Sequence, residues 1–248
     1  MKTKIKGRIA AVAAATALVA AGVLSAWLCG IHDRAADVDP SPISGGAEAL
    51  ESDDGFPAVD WDHWLAVNPD IVAWVSVPGT GIDYPVVQAS ADDPAFYLTH
   101  DVYRGWNPYG CPYLDAGCAE RGLESPLALM FAHHMSDGSM FSAFASYSDR
   151  GFAEAHGSIL LQTPDEKMRL DVVAVDVVDS DVEGKRLVFA DGAELDAWLG
   201  ELLGEADVVL DADAEADSVK AFCTCSYGRW NGHERTIVYA KETERPGV

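Results

Sequence analysis

Seven short runs of apolar, β-branched and aromatic residues, separated by turn formers, dominate the chain between residues 71 and 241: Ile71 to Val77, Tyr84 to Gln88, Leu127 to Ala132, Ser158 to Gln162, Met168 to Val178, Val219 to Ser226 and Arg235 to Lys241. Runs of this length and composition read as strands. The first of them closes on Pro78-Gly79-Thr80-Gly81, a turn signal. Helical patterns are few. Trp61, Trp64 and Leu65 give a short helical face near the start of the domain, and Ser139 to Tyr147 sets Met140, Phe141 and Phe144 on one side. Glu194 to Leu203 spaces Leu195, Trp198, Leu199, Leu202 and Leu203 as the buried stripe of a helix, with Asp191 as its cap. There is no internal repeat. Many short strands with few helices predict a mainly β domain, a closed barrel rather than a doubly wound sheet.

A second feature divides the chain. Ile9 to Cys29 is an uncharged apolar run preceded by Lys2, Lys4, Lys6 and Arg8. About 20 such residues span a bilayer as a helix. A cleaved signal peptide has a shorter core and a small-x-small exit, whereas here Leu28 stands directly before Cys29. Residues 1–29 are therefore expected to be a basic cytoplasmic tail and a signal anchor. Such a single-pass protein keeps its basic flank inside and everything after the anchor outside. Residues 30–58 are rich in Asp, Ser, Gly, Pro and Ala and read as a flexible extracellular stalk, which leaves 59–248 as the folded domain. Beyond the anchor stand 13 basic against 40 acidic residues, a net of −27. That charge excludes nucleic acid as a partner, since phosphates demand a cationic surface.

The residues with chemistry lie far apart. Cys225 sits in Phe222-Cys223-Thr224-Cys225-Ser226-Tyr227, Arg235 follows ten positions later, and His133-His134 lies upstream in a strand-like context. A distant cysteine and histidine are a nucleophile and an acid/base when the fold unites them. The arginine adds a cation for a carbonyl oxygen that gains charge. Alternation along a strand lets only one of His133 and His134 face Cys225. Cys223 shares the face of Cys225, as a small buried residue or, in the alternative, as its partner in a strained disulfide. The cysteine count is too low for a disulfide scaffold, but one bridge, Cys111 to Cys118, is compatible with the six-residue loop between them. Cys223-Thr224-Cys225 has the wrong spacing for a zinc half-site. No metal or cofactor is expected.

In this order the motifs resemble the class B sortases, membrane-anchored cysteine transpeptidases of Gram-positive bacteria. The resemblance covers roughly residues 60 to 241. It rests on Asn68-Pro69-Asp70 before Val72-Ala73-Trp74-Val75, on Gly81-Ile82-Asp83-Tyr84-Pro85-Val86-Val87-Gln88, on Phe131-Ala132-His133-His134-Met135 with Gly138-Ser139-Met140-Phe141, and on Thr224-Cys225-Ser226-Tyr227 with Arg235. Ala132 stands where the family usually has glycine, and Phe222 and Cys223 replace its Leu-x before Thr-Cys; neither change removes a reacting group. The resemblance implies a sortase-type barrel of about eight strands, with an N-terminal helix and a helix before the last strands. It also implies Cys225 as nucleophile, His133 as general acid/base by its place after the small residue, and Arg235 as stabiliser of substrate or oxyanion. His134, Thr224 and Tyr227 then bind substrate or brace the site.

The implied reaction cleaves a C-terminal sorting signal, similar to Leu-Pro-x-Thr-Gly or Asn-Pro-x-Thr-x, after its threonine. A thioester then passes the secreted protein to an amine of a peptidoglycan precursor or a pilin lysine. Two other classes fit parts of the chain. A non-catalytic exported barrel, serving adhesion or signalling, would need none of the three residues. A papain-like cysteine hydrolase would place its cysteine early, at a helix start, ahead of the histidine; here the order is reversed.

Overall fold

The computed structural model of the chain describes residues 54–243 except Glu183 and Asn231. The anchor assigned to residues 9–29 and the stalk through residue 53 lie outside the described residues. Among those described, no helix is long and apolar enough to cross a membrane. The strands are β1 (Ile71–Ser76), β2 (Asp83–Gln88), β3 (Tyr113–Leu114), β4 (Leu127–Phe131), β5 (Ser158–Gln162), β6 (Lys167–Asp179), β7 (Val208–Val209), β8 (Val219–Ser226) and β9 (Glu234–Glu242). The helices are α1 (Trp61–Val67), α2 (Arg150–Ala155) and α3 (Gly192–Glu205).

The sheet runs β5-β1-β2-β3-β4-β8-β9-β6-β7, and β5 also pairs with β6. The first eight strands of that order therefore close on themselves, and β7 hangs from β6. This is the expected mainly β barrel of about eight strands. It is mixed: β2–β3 and β4–β8 are parallel, and the other pairs antiparallel. Closure removes the open edges that would otherwise recruit other chains.

Alternation along β4, β8 and β9 sorts side chains into two cores. Inside the barrel, Ala128, Met130, Phe222, Val238 and Ala240 pack with Phe141, Phe144 and Tyr147. On the outer face, Leu127, Leu129, Ala221, Cys223 and Tyr239 meet Leu199 of α3, with Trp198 and Leu202 alongside. A third cluster holds Ile71, Val87, Tyr97, Val102, Cys111 and Tyr113, covered in part by Trp61, Trp64 and Leu65 of α1. As its spacing predicts, α3 is capped by Asp191, whose carboxylate accepts from Glu194 N–H at 3.0 Å.

Three expectations are corrected. The helix from Ser139 is a 3₁₀ helix starting at Ser142 and ending at Ser148. Met140 has a φ of 57° and bridges to His134, so no helical turn can pass through it. Beyond it, three residues per turn stack Phe141, Phe144 and Tyr147 on one side. Cys111 and Cys118 are free thiols, not a bridge. The wall of the barrel lies between them: Cys111 belongs to the outer cluster and points to Pro85 O, while Cys118 sits in the inner core and points to Leu127 O. Finally, residues 54–58 do not stand off from the domain. Phe56 is buried beside the Lys167 and Arg169 side chains, and Gln162 Nε2 donates to Pro57 O at 2.9 Å.

Candidate active site

The C-terminal end of β8 and the start of β9 bring two of the three singled-out residues together. Cys225 and Arg235 are direct partners across this antiparallel pair, so their side chains share the outer face. The parallel neighbour on the other side, β4, sets Phe131 opposite Cys223, and the ladder continues as Ala132 N–H donates to Cys223 O at 3.3 Å. The strand pairing ends at Phe131, two residues short of His133. Parity puts it on the same outer face, as Leu127, Leu129 and Phe131 precede it there.

Each histidine has a distinct contact. His133 Nε2 lies 2.7 Å from Leu98 O, and His134 Nδ1 lies 2.8 Å from Cys225 O. A carbonyl only accepts, so these ring nitrogens carry the hydrogen and the opposite nitrogens are left open. For His133 the open nitrogen is Nδ1. His134 instead braces the main chain of Cys225, and its ring meets Tyr227 edge-on at 5.3 Å. Tyr227 is 66% exposed. Thr224 is buried and donates to Ala132 O at 3.2 Å, which ties β8 to β4 from inside the barrel; it lines no substrate surface.

The two cysteines on this face differ sharply. Cys225 is half-buried, whereas Cys223 is almost wholly buried and its thiol is pushed up to about 12, chiefly by burial. Arg235 and Lys185 pull in the other direction without overcoming it. Both sulfurs are free. Only Cys225 combines access with the neighbouring guanidinium, and the thiolate is the reactive form. Tyr113, close enough to feel both cysteines, is itself raised to about 12, first by burial and then by nearby negative charge.

A groove runs from Arg235 down the outer face, with a volume of about 590 Å³. Its floor is Leu127, Leu129, Phe131, Cys223, Ile237 and Tyr239, and α3 forms one wall with Trp198 and Leu202. The segment between β6 and α3 closes it above. Lys185 Nζ reaches Asp115 Oδ2 at 2.5 Å, and Leu187 lies so close to Gly117 that a Cβ there would meet its Cδ1 at 2.7 Å. The groove has an apolar floor and charged walls, Asp176, Lys185, Arg186, Glu201 and Glu205 among them, and it reaches Arg235, which forms no ion pair among the described residues and stands across the strand pair from Cys225: that arrangement can do acyl transfer.

On the far side, the loop carrying Leu98 is fixed by a buried network. Asn68 Nδ2 donates to Tyr97 Oη at 3.0 Å and to Val102 O at 2.9 Å. The Tyr97 hydroxyl donates to Asp70, which also holds Arg104. The sequence offers Asn68 and Asp70 only as part of a motif; their work is to present the carbonyl that orients His133. Among the described residues, no group of three or more His, Cys, Asp or Glu is placed to hold a metal.

No family model matches the sequence. It is similar to sortase B of Staphylococcus aureus (strain NCTC 8325 / PS 47), 24% identical over 176 residues, which is 71% of this chain and 71% of that protein. Sortase B of Listeria monocytogenes serovar 1/2a is 28% identical over 109 residues, 44% of this chain and 43% of that protein, less than half of its length. Among solved structures, Clostridium perfringens sortase B superposes with a TM-score of 0.66 at 24% identity, covering 74% of this chain and 99% of that one. The Staphylococcus aureus sortase B–substrate complex gives 0.64 at 22% identity, over 74% and 84%. In sequence and in fold the chain resembles the class B sortases. That resemblance supports a sortase-type cysteine transpeptidase at the level of the family. Of the motifs quoted above, residues 72–75 lie on β1, 83–88 on β2, Phe131 at the end of β4 and Thr224, Cys225, Ser226 and Arg235 on the β8–β9 pair, and the remaining residues lie in the loops between.

Proposed function

We propose that the enzyme cleaves a C-terminal sorting signal of the Leu-Pro-x-Thr-Gly or Asn-Pro-x-Thr-x kind after its threonine. It then transfers the carrier protein to an amine of a peptidoglycan precursor or a pilin lysine. The observation that carries this reading is the pairing of Cys225 with Arg235, which heads a groove with an apolar floor, with His133 two residues beyond the end of β4. The Cys225 thiolate adds to the threonine carbonyl, and the electron pair moves to oxygen, where the Arg235 guanidinium offsets it. His133 Nδ1, having taken the Cys225 thiol proton to give the imidazolium, returns it to the departing amine as the carbon–nitrogen bond breaks. The resulting thioester is attacked by the acceptor amine, whose proton passes to His133 Nδ1, and the Cys225 thiolate leaves. The apolar run of residues 9–29 supports a single-pass anchor that holds this chemistry at the outer surface of the membrane.

The test is incubation of the full chain with sorting-signal peptides and a primary amine. The expected products are a Cys225 acyl-enzyme visible by mass spectrometry and a new amide after threonine. A free carboxylate as the sole product despite excess amine would point to a hydrolase, and absence of any Cys225 adduct would point to a non-catalytic barrel.

A further inference from the structure

The turn that joins the nucleophile strand to the arginine strand aims three consecutive backbone N–H groups at one point. They belong to Gly228, Arg229 and Trp230. Such a run makes a concavity that takes an anion, and three residues from a thioester-forming cysteine it is well situated to receive an oxyanion. It is already filled. The Glu234 carboxylate accepts from Gly228 at 2.9 Å and from Trp230 at 3.1 Å, and Arg229 N–H donates to it as well. Glu234 is 3% exposed. Burial by itself would favour the protonated acid; the converging N–H donors and Ser226 overrule it and hold the carboxyl at about 2.

Glu234 lies between the two reacting residues in every sense that matters. It pairs with Ser226, the neighbour of Cys225, and it immediately precedes Arg235. Successive residues of a strand point to opposite faces, so the Glu234 carboxylate and the Arg235 guanidinium diverge. Arg235 Nη1 donates to the main-chain oxygen of Glu234 at 2.8 Å, not to its carboxylate. Among the described residues Arg235 forms no ion pair. The same turn is tied down a second time by Arg229, whose Nη2 meets Asp207 Oδ1 at 2.6 Å.

We propose that Glu234 is a positioning residue for the transpeptidation: its carboxylate fills the turn's N–H concavity and thereby holds Arg235 as an unneutralised cation directly across from Cys225. The inference rests on the sortase reading given above and goes past it, because it assigns the oxyanion to the guanidinium alone and gives the turn a purely supporting task. Without the carboxylate, the three N–H groups lose their acceptor, the turn relaxes, and the main-chain oxygen that steadies Arg235 moves with it.

The experiment compares the full chain with Glu234→Gln and Glu234→Asp. It measures kcat and KM for a sorting-signal peptide, and the rate at which neutral iodoacetamide alkylates Cys225. Alkylation needs the thiol but no oxyanion stabilisation. Glu234→Gln is expected to lower kcat by about tenfold or more, in the range that small misplacements of reacting groups produce, with KM and the alkylation rate each within about twofold. Parallel losses in kcat and alkylation would mean that the residue merely holds the fold, and unchanged kcat would remove any role; either result overturns the proposal. Should Glu234→Gln fail to fold, Glu234→Asp decides, since it keeps the charge but falls one methylene short. It must show an intermediate fall in kcat, and full activity refutes the idea. A wild-type chain that gives no Cys225-dependent product would instead defeat the sortase reading, and this inference with it.

Discussion

Cys225, His133 and Arg235 make different demands on their replacements. Cys225→Ala removes the sulfur that bonds to substrate, and peptide cleavage should vanish while the far-ultraviolet circular dichroism stays unchanged. Arg235→Lys keeps the charge but loses the planar fork, so it should fall well short of wild type in kcat. His133→Ala should cost about 10²–10⁴-fold, the usual loss for a general acid, whereas His134→Ala should keep most of the activity because its ring is engaged with the main-chain carbonyl of Cys225 and with Tyr227. Steady-state kinetics of the two histidine variants checks this, and a reversal of their order would refute the assignment. Cys225, His133 and Arg235 could be singled out in the sequence because strand parity and motif order both involve side chains. Leu98 was not, since it contributes a carbonyl and any residue has one. Glu234 was hidden for a related reason: its partners are backbone N–H groups, which leave no trace in residue identity.

Elements matter here chiefly as carriers of register. A slip of one residue between β8 and its neighbours would turn Cys223 and Cys225 inward and bring Phe222 out, so Phe222 locked among Phe141 and Phe144 guards the site's orientation. The strands found from composition are long; β3 and β7 escaped notice because two residues carry no alternation to detect. The turn between β8 and β9 has its own acid response. The Glu234 carboxyl sits at about 2 in the folded protein against an ordinary value of 4.5, so its stabilising effect is complete above about 4.5 and disappears as pH falls through about 2. Denaturant titrations across that window should show wild type losing stability more steeply than Glu234→Gln. The strap over the groove yields another expectation. Asp115 caps Gly117 N–H at 2.7 Å and pairs with Lys185, so Asp115→Asn should loosen residues 180–190 and raise KM for peptide several-fold with little change in alkylation of Cys225. An unaltered KM would show that the strap does not shape the groove.

At the scale of the molecule, the domain is broader than composition suggested. Phe56 is 5% exposed and Asp54 pairs with Lys167, so a chain starting at Asp60 discards contacts that one starting at Asp54 retains. Burial of a phenylalanine is worth about 1.5–3 kcal/mol, and the shorter chain should be less stable by that order in urea unfolding; equal midpoints would show that the segment adds nothing. The barrel's topology was only half readable, because a list of strands does not say which are parallel. The β4–β8 pairing is parallel, and a parallel partner must be reached by a long crossover. Here the crossover contains β5, β6, β7, α2 and α3. That distance governs timing as well as shape. A chain emerging N-terminus first has its histidine, the β4 part of its groove floor and the wall of α3 before it has the thiol of Cys225 or the cation opposite, and pairings of such long range are the slow ones to form. On the proposed function, an unfinished barrel thus carries no armed nucleophile, and the chemistry must await the last strand.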